Sequence, residues 1–331
     1  MRQEITSAAK KLYPVDGVNF KSLKSLIFRA RFLRRAKQQQ PLLDEFVTSL
    51  EALGYAHILE QYPYMLGLVE WPYIHNKWTV QQRVHSILGH YELLHTKPKF
   101  LDVSDAQAKV IVDLSEYSEG ASIVVDRAKW FAREGEVVLN LFKGDKRVKS
   151  IAFSLGQVNN ELVIYVGAIQ GIHADDDTLG LFKSLTKEFE GLRPRSLVIE
   201  MLRNIAEKVG AKRIWAISDE NRHHRHPYFA DTHKFDLKSQ YDSIWLDHGG
   251  VKLDNGFFEI PVAKHRKEIT EVSSNKRAMY RRRYTMLENL EQAFSKLQCF
   301  VFTSLLAEVV FEVLAGLTFF YSTVDNLNAF I

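Results

Sequence analysis

The stretch RVKSIAFSLGQVNNELVIYVGAIQG (147–171) contains two long runs of aliphatic and β-branched residues, separated by GQVNN. Two such runs divided by a turn signal predict antiparallel strands joined by a hairpin. Two earlier runs, ASIVVDRA (121–128) and EVVLNLF (136–142), are set off by the polar turns REGE and KGDK. The four runs together predict an antiparallel meander.

The segments that follow predict a change of strand direction. PRSLVIEMLRNIAEKVG (194–210) has the proline start and glycine stop of a helix, and AKRIWAIS (211–218) reads as a buried strand. A strand, a helix and a further strand require a crossover, so we predict that the sheet becomes parallel there. YDSIWLDHGG (241–250) then predicts a short helix and GFFEIPVA (256–263) a last strand.

The segments on either side of this sheet read as helical. Apolar spacing predicts helices at 21–37, 42–53, 80–95 and 105–116, and in the first of these Leu23, Leu26, Ile27, Ala30 and Leu33 recur at helical intervals. We therefore predict an α+β fold in three regions. They are a helical N-terminal region (1–118), a mixed, mostly antiparallel sheet flanked by helices (119–265), and a basic helix with an apolar C-terminal helix (266–331).

Composition narrows the class of protein. The 331 residues carry a formal net charge of only +4, which does not indicate nucleic acid as a partner. A single cysteine, Cys299, excludes an intramolecular disulfide and a cysteine-rich metal site. The first residues, MRQEITSAAKKLYPV, lack the apolar stretch of a signal peptide, so we expect a cytoplasmic protein.

The order of four antiparallel strands, helix, strand, helix and strand resembles the core of the acyl-CoA N-acyltransferase (GNAT) superfamily. That resemblance implies a transferase that uses acyl-CoA. The superfamily's phosphate-binding glycine motif opens the helix after the fourth strand, whereas RPRSLV (193–198) has no glycine. Without those glycines the backbone cannot approach a pyrophosphate in the usual way. The cofactor is therefore open, with acyl-CoA one candidate, and so is enzymatic activity.

A second resemblance covers roughly residues 20–295. Six strings are similar to the VirK/YbjX family of bacterial proteins: REGEVVLNLF (133–142), YVGAIQG (165–171), LTKEFEGLRPRSLV (185–198), YDSIWLDHGG (241–250), FFEIPV (257–262) and KRAMYRRRY (276–284). The resemblance implies a role in envelope-related virulence traits and stress resistance of Gram-negative bacteria. It brings no catalytic residues that could be transferred, so these remain unknown.

The string ENRHHRHPYF (220–229) places three histidines in four positions. Whether extended or helical, the cluster directs only two histidines to one side, whereas zinc usually takes three or four protein ligands, so we predict no metal site. The cluster follows a strand at its carboxyl end, where open α/β sheets place ligands, and Arg222 and Arg225 interleave with the histidines. The alternatives are a loop that binds a phosphate or carboxylate and a surface loop without a ligand.

We place an anionic-ligand pocket at this sheet edge. Gln170 and Gly171 end the fourth strand, and Arg193 and Arg195 lie near the start of the next helix, where a helix N-terminus also attracts anions. The predicted ligand-binding residues are Gln170, Gly171, Lys187, Arg193, Arg195, His223, His224, Tyr241 and Trp245.

Two basic stretches, 21–37 and 276–284, predict contact with an anionic lipid surface or a partner. The residues that we expect to make this contact are Lys24, Arg31, Arg34, Arg35, Arg281 and Arg282. Nucleic acid is disfavoured, because no DNA- or RNA-reading module accompanies them. The apolar segment 299–321, with Glu308 and Glu312 on one helical stripe, is open to two interpretations: docking on the protein, or peripheral attachment to the inner membrane.

These observations support three functional hypotheses. The first is a VirK/YbjX-like accessory protein of envelope stress or virulence that binds an anionic ligand or acts at the inner membrane surface. The second is an acyltransferase-type enzyme acting on a lipid, peptide or cell-wall precursor. The third and weakest is a nucleic-acid-linked stress-response protein.

Overall fold

The computed structural model describes residues 2–15, 20–172, 176–229 and 240–297. The helices are α1 (Gln3–Leu12), α2 (Phe20–Gln38), α3 (Gln40–Ala52), α4 (His57–Gln61), α5 (Val80–Leu94), α6 (Asp176–Glu188), α7 (Pro194–Val209), α8 (Tyr241–Asp247) and α9 (277–297). The strands are β1 (Lys109–Asp113), β2 (Ala121–Asp126), β3 (Val137–Lys143), β4 (Lys146–Val158), β5 (Glu161–Gly171), β6 (Arg213–Ile217), β7 (Val251–Lys252) and β8 (Phe257–Ile260). The predicted α+β fold class is confirmed.

All eight strands belong to one sheet in the order β1-β2-β3-β4-β5-β6-β8-β7. Pairing is antiparallel throughout except between β5 and β6, which are parallel. The crossover between these two strands runs through α6 and α7. Helix α7 ends at Gly210, whose φ of +75° is a left-handed conformation that glycine adopts without strain. The predicted meander and the predicted parallel pair are therefore both present.

The predicted helix at 105–116 is wrong. Lys109–Asp113 is a strand that pairs antiparallel with β2, at the edge of the sheet. Three β-branched residues in sequence, Val110, Ile111 and Val112, fit a pleated surface better than a helix. A short apolar run is compatible with both a helix and a strand, so apolar spacing alone led to the wrong assignment here.

Helix α2 is present where the sequence predicts it, but its apolar spacing does not mark the buried side. Phe32 and Ala36 are fully buried, whereas Leu23, Leu26 and Ile27 are 57%, 47% and 60% exposed. The helix therefore presents an apolar edge to solvent among its cations.

A buried polar cluster joins the N-terminal helices to the sheet. The Glu136 carboxylate, immediately before β3, accepts a bond of 2.5 Å from Arg127 Nη2 and hydroxyl bonds from Tyr73 (3.0 Å) and Tyr91 (2.7 Å). The Arg127 guanidinium lies 4.1 Å from the centre of the Tyr62 ring. Three tyrosines of the helical region thus enclose an ion pair of the sheet.

Apolar packing also continues across this boundary, since one cluster of buried side chains includes Leu43, Ile87, Leu139 and Met201. The boundaries of the three predicted regions remain a prediction. Among the described residues, no helix is both long enough and apolar enough to cross a membrane. The predicted apolar C-terminal helix, 299–321, lies outside the described residues.

We predict that Glu136→Gln lowers the free energy of unfolding by about 3–5 kcal/mol, because it leaves the buried Arg127 charge without a counter-charge. The amide N–H₂ of the new glutamine would also face hydroxyl donors. Chemical unfolding measures the change, with Asp113→Asn on the exposed edge strand as the control that alters it by less than about 0.5 kcal/mol. The double variant Arg127→Met, Glu136→Leu should be less destabilised than Glu136→Gln. Equal stability of Glu136→Gln and the native chain would contradict the role of the pair.

Candidate functional site

A cavity of about 330 Å³ opens beside the turn that precedes β3. The turn contributes Arg133 and Glu134, β5 contributes Gln170, and the histidine-rich segment after β6 contributes His223 and His224. We call this space the Glu134 cavity. It combines a buried carboxylate, two imidazoles and a guanidinium within one small volume, and we take it as the candidate site.

Glu134 is buried and closely held. Gln170 Nε2 donates hydrogen bonds of 2.9 and 3.1 Å to its two carboxylate oxygens. The backbone of the turn passes so close to β5 that an added Cβ at Gly167 would lie 2.1 Å from the Glu134 carbonyl oxygen. Only glycine permits that approach, so the sequence of β5 fixes where this carboxylate lies.

The two histidines lie side by side on a single turn of 3₁₀ helix, His223–Arg225. Their ring centres are 3.8 Å apart. Nδ1 of His223 is buried, has no hydrogen-bond partner among the described residues, and lies 3.6 Å from Oε1 of Glu134. The 3₁₀ conformation therefore directs neighbouring histidines to one place, which neither an extended nor an α-helical interpretation of the sequence predicted.

Burial disfavours the charged form of both partners in this pair. It raises the pKa of Glu134 from 4.5 to about 8, although Arg222, Gln170 and Arg133 oppose the shift. It lowers the pKa of His223 well below 6.5, and His224, Arg133 and Arg222 lower it further. A carboxyl and an imidazole whose pKa values are shifted in opposite directions are typical of a site that exchanges protons or holds a charged ligand.

The histidine segment is held by α8. The backbone N–H of Asp219 donates to the Asp242 carboxylate at 2.7 Å, and the backbone N–H of Asp242 donates to the Asp219 carboxylate at 3.0 Å. The Arg222 guanidinium stacks 3.8 Å from the centre of the Tyr241 ring and lies 3.6 Å from an Asp219 oxygen. The loop is thus supported by a helix of the fold, which orients the imidazoles independently of any ligand.

Arg133 provides the cationic wall of the cavity. Its guanidinium lies 4.7 Å from the Trp71 ring centre and 5.2 Å from that of Phe229. Within the described part of the chain, this guanidinium donates no hydrogen bond and forms no ion pair. Tyr64 and Trp130 add further aromatic surface, and exposed Lys129 adds a second cation.

The structure divides the predicted anion pocket into two places. Gln170, His223 and His224 line the Glu134 cavity, whereas Arg193 and Arg195 line a separate groove of about 500 Å³ with Lys149. The expected convergence of Arg193 with Gln170 is therefore wrong. Lys149 and Ser150 are consecutive in β4 and face opposite sides of the sheet; Ser150 is the cross-strand partner of Gln170.

The other predicted ligand-binding residues have different surroundings. Tyr241 is fully buried beside Glu134 and Gln170, and burial raises its pKa above the ordinary value. Gly171 pairs with Lys149, on the side of the groove, and Lys187 is exposed on α6. Trp245 is enclosed in the core and donates its indole N–H to the Ile217 carbonyl at 2.9 Å. Ligand binding by these residues stays a prediction.

The residues predicted to contact a membrane or a partner fall into two groups, those in ion pairs and those exposed to solvent. Arg31 bonds Glu70 Oε1 at 2.7 Å and Arg35 lies 3.6 Å from the same oxygen, so both are directed to a buried carboxylate. Arg282 pairs with Glu190 through two bonds of 2.8 Å. Lys24, Arg34 and Arg281 are exposed.

Sequence reasoning missed Glu134 and Arg133, because REGE (133–136) was taken only as a turn between strands. The available signal was one acidic residue on each side of Gly135, directly before an apolar strand. With Glu134 included, a third possible metal ligand joins the two histidines. The potential ligand atoms of Glu134, His223 and His224 all lie within 4.8 Å of one another.

Comparison with known proteins assigns the family. Residues 21–296 match the family described as "Protein of unknown function (DUF535)", which is the VirK/YbjX family, and the chain belongs to it. The chain is 25% identical over 272 residues to "Uncharacterized protein YbjX" of Escherichia coli (strain K12), covering 80% of this chain and 81% of the relative.

An "Uncharacterized protein" of Haemophilus influenzae (strain ATCC 51907 / DSM 11121 / KW20 / Rd) is 23% identical over 292 residues, which cover 87% of this chain and 94% of that one. No solved structure matches the chain. The likeness to the acyl-CoA N-acyltransferases therefore stays a prediction.

Proposed function

We propose that this member of the VirK/YbjX family binds a small anionic ligand in the Glu134 cavity. The proposal is carried by one observation about the Arg133 guanidinium. This group lines the cavity, packs against the Trp71 ring, and has no carboxylate partner among the described residues. A planar guanidinium held against aromatic rings loses little freedom on binding, and it matches the geometry of a phosphate or carboxylate.

The aromatic walls narrow the class of ligand. Tyr64, Trp71 and Trp130 suit a flat or apolar portion next to the anionic group, as in a nucleotide or an aromatic acid. A volume of about 330 Å³ accommodates a small molecule of this kind. Glu134 and His223, on the same wall, are within reach to exchange a proton with a bound ligand, which is the chemistry that an enzymatic role would use.

We predict that Arg133→Gln weakens binding of the ligand by about 10- to 100-fold, since a hydrogen bond to a charged group contributes about 1.5–3 kcal/mol. A thermal-shift screen of inorganic phosphate, nucleotides, aromatic carboxylates and acyl-CoAs identifies the ligand through its stabilisation of the folded state. Titration of both proteins then gives the two affinities.

Arg193→Gln is the matched control, because Arg193 lies in the groove on the other side of the sheet. It should leave affinity for the ligand unchanged. If Arg193→Gln abolishes binding and Arg133→Gln does not, the ligand site is the groove of Lys149 and Arg195, and the proposal for the Glu134 cavity fails. A hit confined to acyl-CoAs would favour the transferase alternative.

A second function, attachment to an anionic membrane surface, is favoured by α2. Its exposed apolar edge of Leu23, Leu26 and Ile27 lies among Lys24 and other cations, and its sequence FKSLKSLIFRARFLRRAKQ contains no acidic residue. Apolar side chains flanked by lysine and arginine are typical of helices that lie in the headgroup region of a bilayer. Lys24 and Arg34 would contact lipid phosphates, whereas Arg31 and Arg35 are committed to Glu70.

We predict that the protein sediments with vesicles containing phosphatidylglycerol and not with vesicles of phosphatidylcholine alone, and that high salt weakens binding. Leu26→Gln with Ile27→Gln should lower the bound fraction several-fold without loss of stability, because both side chains are exposed in the fold. Val110→Gln, an exposed apolar residue of β1, is the control. Repeating the assay without residues 298–331 separates α2 from the apolar tail; binding that needs only the tail would reject α2.

A further inference from the structure

We propose that Glu134, His223 and His224 bind one divalent transition-metal ion on the wall of the Glu134 cavity. The three residues supply a carboxylate and two imidazoles, and their potential ligand atoms lie within 4.8 Å of one another. This donor set leaves a coordination position open in known metalloproteins, both at catalytic zinc sites and at mononuclear iron(II) sites.

One pair of ligand atoms already has nearly the separation that a bound ion requires. Nδ1 of His223 lies 3.6 Å from Oε1 of Glu134. Two ligands of a tetrahedral zinc ion with bonds of about 2.0–2.1 Å are separated by roughly 3.3–3.5 Å. Nδ1 is buried and has no hydrogen-bond partner in the described part of the chain, which is uncommon for a polar atom in a folded protein. A bound cation would satisfy it.

The surroundings resemble the support of a metal site. Gln170 donates to both carboxylate oxygens of Glu134 and so fixes the orientation of that ligand. Arg133 lines the same cavity, so an anion completing the coordination would lie in the space that this guanidinium borders.

The charges of the nearby arginines oppose the binding of a metal ion. Arg133 and Arg222 repel a cation, but the Asp219 carboxylate lies 3.6 Å from Arg222 and offsets part of that charge. An anionic fourth ligand would offset Arg133. The inference thus rests on the proposed function only for the identity of the fourth ligand, and the three protein ligands stand independently of it.

The direct test is titration of the chelator-treated, full-length protein with Co²⁺ alone, followed by visible absorption, since tetrahedral Co²⁺ absorbs far more strongly than the hydrated ion. We expect one equivalent to bind and to be displaced by Zn²⁺. Glu134→Gln and His223→Gln should each weaken Co²⁺ binding by more than about 100-fold, and Gln170→Ala by about 10- to 100-fold, the range for residues that orient a metal ligand.

His226→Gln is the matched control, because His226 lies in the same segment outside the cluster, where its Nδ1 accepts the Tyr228 N–H at 3.0 Å. It should bind Co²⁺ like the native chain. Circular dichroism of each variant shows that it is folded, and Arg133→Gln supplies a further variant that should retain the metal. The site is overturned if the native chain binds no Co²⁺, or if folded Glu134→Gln and His223→Gln both bind it normally.

Parallel titration with inorganic phosphate distinguishes this inference from the proposed function. Phosphate binding without Co²⁺ binding would reject the metal site and leave the anion pocket standing. Co²⁺ binding that depends on the three ligands, with no anion bound with or without the metal, would support the metal site and reject the anion pocket.

Discussion

The buried ion pair between Arg127 and Glu136 is the interaction on which the arrangement of this molecule depends. Its hydrogen-bond partners Tyr73 and Tyr91 come from the N-terminal helical region, whereas the pair itself belongs to the turn and strands of the sheet. If the helices left the sheet, both tyrosine hydrogen bonds to the Glu136 carboxylate would be lost, and a hydrogen bond to a charged group contributes about 1.5–3 kcal/mol. The contact that joins the two regions is therefore polar and specific as well as apolar.

The same turn carries two glutamates with different surroundings. Glu136 is satisfied by an arginine and two hydroxyls, which is how a structural carboxylate is stabilised in a core. Glu134, two residues earlier, accepts hydrogen bonds from the amide of Gln170, faces a cavity, and has a pKa raised to about 8. A buried carboxyl with a shifted pKa at the edge of a cavity is a candidate functional group, which is why we place the candidate site at Glu134.

Because Tyr73 and Tyr91 of the helical region hold Glu136 in the turn, the position of Glu134 depends on the helical layer. The histidine segment is held separately, by the reciprocal bonds between Asp219 and Asp242. Two independent supports therefore converge on one small space. This explains how residues distant in the sequence, 134 and 223, come within 3.6 Å of each other.

Much of the fold was predictable because its signals are local. Turn residues delimit β2 to β5, proline and glycine delimit α7, and the crossover then requires a parallel β6. The site was only half predictable. Gln170 lies at the end of β5 and the histidines follow β6, where ligands are expected. Their pairing with Glu134 depends on the close approach of Gly167 to the turn, which no sequence spacing reveals. Likewise, nothing local indicates that Arg31 is committed to Glu70, 39 positions away.

The central claim is that the helical layer and the sheet form one cooperative unit around Arg127 and Glu136. Native-state hydrogen exchange followed by mass spectrometry tests it most directly, because it gives the free energy of opening for each segment. We predict that amides of α5 and of β3 and β4 exchange through the same opening, with equal free energies and equal dependence on denaturant. Exchange of α5 at a free energy several kcal/mol below that of the strands would contradict it.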